Sequence, residues 1–346
     1  MLGGKLRMAP TCYHVLHLMP IMAAHEMNYF YDEGLRTDDG LPAYEILRDS
    51  MVPFGLEKLG IAQAMKEKAV DIALDVQTRT IFFQRSKGAD IYIIAGWRNQ
   101  HIHVWMGAPD VKSIADLKGR RVGISDFGSN KHWAISLWLR KSQLDPERDV
   151  EMVRGIFHPV HIEALRSGKV ACCPVSTWEA EELKKDGFNP LITLKQQYPN
   201  GRPERIIAAT GRILEERPDW VKSFLKGMIR SYWLMRDQPA NFEYICQLER
   251  RLRYQSPDPE EKGIKVTCDD PRRIEAMPFP LDGLPTGFED LLREEEAAGD
   301  LNYDVPAIKD VCALDLVKEA YAELMQSQDR RADYQRVLPV AKRLEY

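Results

Sequence analysis

Along the chain, short continuous apolar runs alternate with longer stretches in which apolar residues recur every three or four positions. The first pattern marks buried strands, the second helices with one packed face. Strands are predicted over Lys5–Ala9, Tyr44–Arg48, Val70–Leu74, Ile91–Trp97, Ile102–Met106, Arg121–Ser125, Val150–Val153, Val170–Pro174, Leu191–Leu194 and Arg205–Thr210. Helices are predicted over Pro20–Tyr31, Ile61–Lys68, Gln77–Arg85, Ser129–Lys141, Val160–Arg166, Trp178–Lys185, Pro218–Met235 and Val305–Met325. Ser113 to Gly119 reads as one capped turn, with Ser113 as N-cap, Asp116 three residues on and Gly119 as the stop. Strands alternating with helices of this length predict crossover units, an α/β class and parallel sheets. Residues 255–287, with six prolines between Pro257 and Pro285, read as a loop that wraps the surface.

A length of 346 residues exceeds one compact core and predicts two domains. The net charge of −4 lacks the basic face of a nucleic-acid binder, so no nucleic-acid partner is expected. No run approaches the ~18 apolar residues that span a bilayer. The apolar segment 15–24 contains His17 and Pro20 and lacks the order of an export signal. A cytoplasmic location is therefore expected of the sequence as it stands, and a periplasmic one if a signal has been removed. The six cysteines, Cys12, Cys172, Cys173, Cys246, Cys268 and Cys312, form no C-x-x-C spacing. Cys172 and Cys173 are adjacent on a strand and should point to opposite faces, so free thiols are expected.

Several segments, in order, resemble one family. His14 to Leu35 closes on EMNYFYDEGL; AVDIALDV (69–76), SIADLKGRRVGISDFGSNKHW (113–133), EALRSGKVACCPV (163–175) and ERPDWVKSFLKG (216–227) follow. Together they resemble the type II periplasmic-binding-protein family: the substrate-binding proteins for nitrate, taurine and aliphatic sulfonates, and the thiamine-pyrimidine synthase group. The resemblance covers roughly residues 5–235. It implies two lobes joined by two crossing strands, lobe one being 1–99 plus 207–346 and lobe two 100–206, with a C-terminal helical extension. Two departures stand out. The strand that ends in aspartate-alanine in the family reads Cys172-Cys173 here. Where the synthase branch has a cofactor-binding lysine and a substrate histidine, this chain has Asp75 and Arg79, and that branch's cysteine-rich motif is absent.

In doubly wound sheets, ligands gather at the carboxyl ends of strands. The loops there supply the candidate ligand-binding residues: Thr11, Tyr13, His14 and His17; Asp75 and Gln77; Trp97, Asn99 and His101; Gly128, Ser129, Asn130, Lys131 and His132; His158; Ser176 and Thr177. Gly128-Ser129-Asn130 opens a helix whose N–H groups and dipole suit an anion, with Lys131 adding charge. The same pattern fits a helix that Ser129 caps for itself. Seven of the eight histidines, all but His25, lie in or beside these loops. They suit an anion, a heteroaromatic ring or a metal, but no metal-binding motif accompanies them, and neither metal nor cofactor is expected. Trp97, Trp133 and Trp178 suit a flat ligand or plain packing. Asp75 suits a ligand amine or a pair with Arg79 one turn on. The expected function is capture of a small anionic, aromatic-compatible organic molecule between the lobes, for an importer of the ABC type with its permease as partner. The alternative is a cytoplasmic enzyme on the same fold, a decarboxylase or metal-assisted lyase.

Overall fold

The computed structural model describes residues 4–11, 15–47, 60–99, 103–127, 129–156, 160–193, 201–236, 241–255, 280, 282–297 and 301–327. The chain divides into two compact units: 1–99 with 202–288 and 303–346, and 100–201 with 289–302. The lobe boundaries expected from the sequence differ in two places. Residues 202–206 lead into a strand of the first sheet, and 289–302 fall to the second unit.

The first unit is built on β1 (Leu6–Pro10), β2 (Tyr44–Ile46), β3 (Ile72–Gln77), β4 (Ile91–Arg98) and β10 (Arg205–Thr210), in the order β2-β1-β3-β10-β4. The second holds β5 (His103–Gly107), β6 (Arg121–Gly123), β7 (Glu151–Val153), β8 (Cys172–Ser176) and β9 (Asn189–Thr193), in the order β7-β6-β8-β5-β9. Helices α1 (Val15–Glu26), α2 (Tyr29–Asp32), α3 (Gly60–Lys66) and α4 (Thr78–Ser86) belong to the first unit. In the second, α5 (Asn130–Lys141), α6 (His161–Arg166) and α7 (Thr177–Lys185) follow strands in the same way. Among the described residues the helices α8 (Gly211–Glu216), α9 (Pro218–Arg236), α10 (Phe242–Gln255), α11 (Phe288–Ala297), α12 (Ile308–Val311) and α13 (Asp315–Gln326) follow. Among the described residues no helix is long and apolar enough to cross a membrane.

The expected all-parallel sheets are mixed. β1 pairs parallel with β2 and β3, but β10 runs antiparallel to β3 and β4. Likewise β6 pairs parallel with β7 and β8, and β5 runs antiparallel to β8 and β9. An apolar run specifies a buried strand and not its direction. Each reversed strand is the first strand after the chain passes from one unit into the other, so it enters its sheet against the flow.

The helix expected over Pro20–Tyr31 starts earlier and ends earlier. It runs Val15–Glu26 with Pro20 inside, and Asn28, at φ 56°, breaks it before Tyr29–Asp32. The helix expected over Val305–Met325 is interrupted where Cys312 bridges Ile93 and the Ala313 N–H donates to the Ile93 carbonyl at 2.8 Å. Helix α9 matches its pattern: Val221, Phe224, Leu225, Met228, Ile229 and Tyr232 are all buried. Each such side chain contributes roughly 1.5–3 kcal/mol on burial. Gly227 sits inside this helix because a Cβ there would run into the Phe30 ring. Cys172 and Cys173 do point to opposite faces, each into its own apolar cluster. Both are free thiols.

Candidate functional site

In the first unit the strand ends carry charge. Near the carboxyl end of β3 stands Asp75, a non-glycine residue in the left-handed region at φ 60°. That conformation costs of order 1–3 kcal/mol and persists where surroundings enforce it. The enforcing contacts are visible. The Asp75 carbonyl accepts from Thr11 Oγ1 at 2.7 Å and from Arg205 Nη1 at 3.1 Å. Its carboxylate, 1% exposed, lies 2.9 Å from His17 Nδ1 and 3.9 Å from Arg205 Nε. Burial pushes the Asp75 carboxyl up, but the charges of His17, Arg205 and Arg98 and the His17 contact outweigh it and hold the group below its ordinary value. Arg98 itself pairs with buried Glu204 at 3.5 Å. Asp75 therefore pairs with His17 and Arg205 rather than with Arg79.

Three other candidates in this unit have structural duties. Trp97 is fully buried and meets Tyr232 edge-to-face at 6.3 Å, so it is a core residue and not a ligand wall. Asn99 donates from Nδ2 to the Leu284 carbonyl at 2.7 Å, and its own carbonyl accepts the Arg202 N–H. Gln77 ends β3 as the N-cap residue of α4 without a side-chain cap bond. Tyr13, His14 and His101 lie outside the described residues.

In the second unit the strand ends are organised by helix caps. Ser129 caps α5: its Oγ accepts from the His132 N–H at 3.2 Å and from Ser125 Oγ at 3.0 Å, and donates to the Asp126 carbonyl at 2.6 Å. The self-capped reading therefore describes the hydroxyl, which is fully used. Any anion at this turn would meet main-chain N–H groups and Lys131. His132 packs edge-on to Phe127 at 5.2 Å. Trp133 is buried with Leu137 and Leu291. Gly128 and His158, and the side chain of Asn130, lie outside what is described.

Ser176 closes β8 and opens α7. Its N–H donates to Glu179 Oε2 at 2.8 Å, and its hydroxyl donates to the same oxygen. Thr177 follows, exposed. Glu179 also meets His161 Nε2 at 3.0 Å, with His161 4% and Glu179 13% exposed. Burial would raise the Glu179 carboxyl; the bonds from His161 and Ser176 and the His161 charge bring it down to about 2. Beside this pair, burial and the Glu179 charge push the Cys173 thiol up to about 12, with Lys131 acting the other way. A neutral, buried thiol is not poised as a nucleophile. Among the described residues no group of three or more His, Cys, Asp or Glu side chains is placed to hold a metal ion.

Arg98, His161 and Glu179 lie in the loops after strands without being among the candidate ligand residues, whereas Glu204 and Arg205 stand outside those loops altogether. Arg205 is the instructive case. It opens a strand, but that strand is reversed, so Arg205 pairs in register with Gln77 and Arg98 at the carboxyl ends of β3 and β4. The position of the chain's return from the other unit was the available signal.

The bicarbonate transport ATP-binding protein CmpC of Synechococcus elongatus is 26% identical over 246 residues, 66% of this chain. The match spans 35% of CmpC, so the chain covers about a third of that relative's length. Among solved structures, the periplasmic aliphatic sulphonate binding protein SsuA of Escherichia coli superposes with TM-score 0.60 at 16% identity, covering 90% of this chain and 92% of SsuA. The desulfurization enzyme DSZB superposes with TM-score 0.54 at 14% identity, covering 92% of this chain and 99% of that one. The fold is thus that of the periplasmic binding proteins, shared by a binder and an enzyme. Residues 16–242 match the NMT1/THI5-like family, and a match over that much of the 346 residues makes the chain a member of it.

Proposed function

We propose that this chain is a solute-binding protein that captures a small anionic organic molecule or oxyanion for an importer of the ABC type. The observation that carries this reading is the cluster at the strand ends of the first unit. There His17, Arg205 and Arg98 converge on one buried carboxylate, at a residue held in a left-handed conformation. Strained backbone and converging buried charge mark a site that is kept for binding rather than for stability. The helix start at Ser129, with Lys131 in its first turn, supports an anion in the second unit as well. The names of CmpC and SsuA, which refer to bicarbonate and to sulphonates, agree with an anionic cargo and with a permease partner. Aromatic character in the ligand rests on Phe127, which is 46% exposed beside His132; Trp97 and Trp133, being buried, no longer support it.

The test is thermal unfolding of the purified chain with bicarbonate, methanesulfonate and benzoate, followed by recovery of the bound compound. A ligand at a hundred times its Kd stabilises by about 2.7 kcal/mol, which raises the midpoint measurably. One probe class should do so and be recovered unchanged. No shift with any of the three at millimolar concentration would refute the reading. Recovery of a chemically altered probe would establish the enzyme alternative instead.

A further inference from the structure

The opposite end of the first sheet holds a second concentration of charge. β10 and β4 pair Arg205 with Arg98 near the Asp75 cluster and Thr210 with Ile91 at the far end. The run from Arg205 to Thr210 covers roughly 17 Å of extended strand, so the two ends are well separated. At the Thr210 end, between the end of α3, the turn after α4 and the start of α8, lies a cavity of about 280 Å³. Lys66, Lys68, Lys87, Asp90 and Arg212 are the charged residues of its lining. Arg212 is neutralised by Asp71, which also binds Arg7. Lys66, Lys68 and Lys87 meet no carboxylate within ion-pair distance. Lys87 rests against the Phe83 ring at 5.6 Å. The lining therefore sets three unpaired lysines against the single carboxylate of Asp90. Two nearby carboxylates are engaged elsewhere: Glu67 accepts from Gln63 Nε2 at 2.7 Å, and Glu216 lies 3.7 Å from Arg212 Nη1.

Lys68 is held in place by the fold. It stands just after α3 at φ 59°, in the left-handed conformation that glycine favours at a helix end. The corresponding turn after α4 has Gly88 there, at φ 78°. A lysine carries a backbone strain at such a position that a glycine does not. The Lys68 N–H donates to the Met65 carbonyl at 3.0 Å, and its own carbonyl accepts from Arg7 Nη2. We propose that this cavity is a second anion site, for a compact small molecule with two or more negative charges on oxygen. Phosphate esters and polycarboxylates share that chemistry. Three ammonium groups, each a compact charge with three donors, suit several oxyanion oxygens at once. A volume of about 280 Å³ lies near the lower end of ligand cavities and favours a compact anion over a peptide. The site stands whether or not the Asp75 cluster receives a solute, since the two share no residue.

The experiment is calorimetric titration of wild type, Lys68→Gly, Lys87→Gln and the Lys66→Gln/Lys68→Gln/Lys87→Gln triple variant. The probes are pyrophosphate, citrate, methanesulfonate and a hexaglutamate peptide, and folding is checked by circular dichroism. Wild type should bind pyrophosphate or citrate at millimolar concentration or below, and the tighter of the two separates phosphate from polycarboxylate chemistry. For that probe each single substitution should raise Kd about 2–5-fold, the range of an exposed ion pair, and the triple variant about 10–100-fold. Added salt should weaken binding. Lys68→Gly should lose affinity with no fall in its unfolding midpoint, because glycine suits the turn. Failure of both pyrophosphate and citrate on wild type overturns the proposal, as does an unchanged Kd in the triple variant. An equal loss of methanesulfonate affinity in the triple variant also overturns it, since the lysines would then act through general charge. Tighter binding of hexaglutamate than of either small anion replaces it with a docking surface for an acidic partner. If the triple variant does not fold, an unchanged Kd in Lys68→Gly overturns it.

Discussion

The two sheets share one plan and finish their strand ends in different ways. Each has three parallel strands, one reversed strand and a fifth beyond it. The first unit ends its strands in buried charge: Asp75 with His17 and Arg205, and Arg98 with Glu204. The second ends them in helix caps, Ser129 on α5 and Ser176 on α7, with one ion pair, His161–Glu179, set behind the second cap. Caps contribute stability outright. Buried charges cost desolvation, and a left-handed aspartate adds strain. The same topology therefore carries one set of strand ends that stabilises the unit and one that is tolerated. The tolerated set is where selection for binding rather than for folding is the simpler physical account.

The comparison breaks most visibly at Asp75. Asp75→Asn leaves His17, Arg205 and Arg98 facing one another without their carboxylate and should lower unfolding free energy by about 3–5 kcal/mol in urea titrations. Asp75→Gly loses the same charge but relieves the positive φ, and should recover about 1 kcal/mol of that loss. Equal stability of Asp75→Asn and wild type would show that these charges are not coupled. In the second unit the counterpart is Glu179→Gln. The Glu179 carboxyl stands at about 2 in the folded chain against an ordinary 4.5. The unfolded chain thus takes up this proton first. Its contribution is complete above the ordinary value and is lost as pH falls from about 4.5 towards about 2. The full contribution is on the order of 3 kcal/mol. Glu179→Gln should cost that much near neutral pH and should flatten the acid limb of a stability-against-pH curve.

How much of this was legible beforehand divides along the same line. Strand and helix positions follow from periodicity, which is local, and β10 falls on Arg205–Thr210 as predicted. Strand direction is not local: nothing in RIIAAT tells a parallel from an antiparallel neighbour. That is why the direction of both reversed strands is not legible in the sequence, nor the place of Arg205 at the start of β10. Pairing was misjudged for the same reason. Arg79, one turn away, was the natural partner for Asp75 on sequence alone, while His17 comes from a helix distant in the chain. The caps fared better because a cap is a short-range device. Ser113 with Asp116 is present as read, the Ser113 N–H donating to Asp116 Oδ2 at 2.8 Å. Helices α10 and α11 lie outside every predicted element, on either side of the proline-rich stretch 255–287.

A smaller effect is expected at Ser129. Its hydroxyl accepts the His132 N–H and donates to the Asp126 carbonyl, so Ser129→Ala removes an N-cap and should cost about 1 kcal/mol, read as a lower urea midpoint at unchanged slope. Because the hydroxyl is spent on the cap, Ser129→Ala should weaken anion binding only as far as it loosens the first turn of α5. A Kd change of about 10-fold or more in Ser129→Ala would reverse the contrast between the units and make the second one the principal anion site.

The smallest expected effect tests the exposed aromatic edge of the second unit. Phe127 is 46% exposed, touches the His132 ring at 5.2 Å, and has the Arg154 guanidinium 5.9 Å from its ring centre. Arg154 is separately held by Asp126 at 2.9 Å, so the loop does not depend on the ring. A half-exposed phenylalanine with such contacts stabilises little, and Phe127→Ala should change unfolding free energy by less than about 0.5 kcal/mol. Its value lies in the ligand it would discriminate. If the ring serves a solute, benzoate should lose affinity in Phe127→Ala while bicarbonate, which has no apolar surface to bury, should not. A stability loss above about 1 kcal/mol would instead place Phe127 among the residues that hold the second unit together, and the exposed ring would then say nothing about cargo.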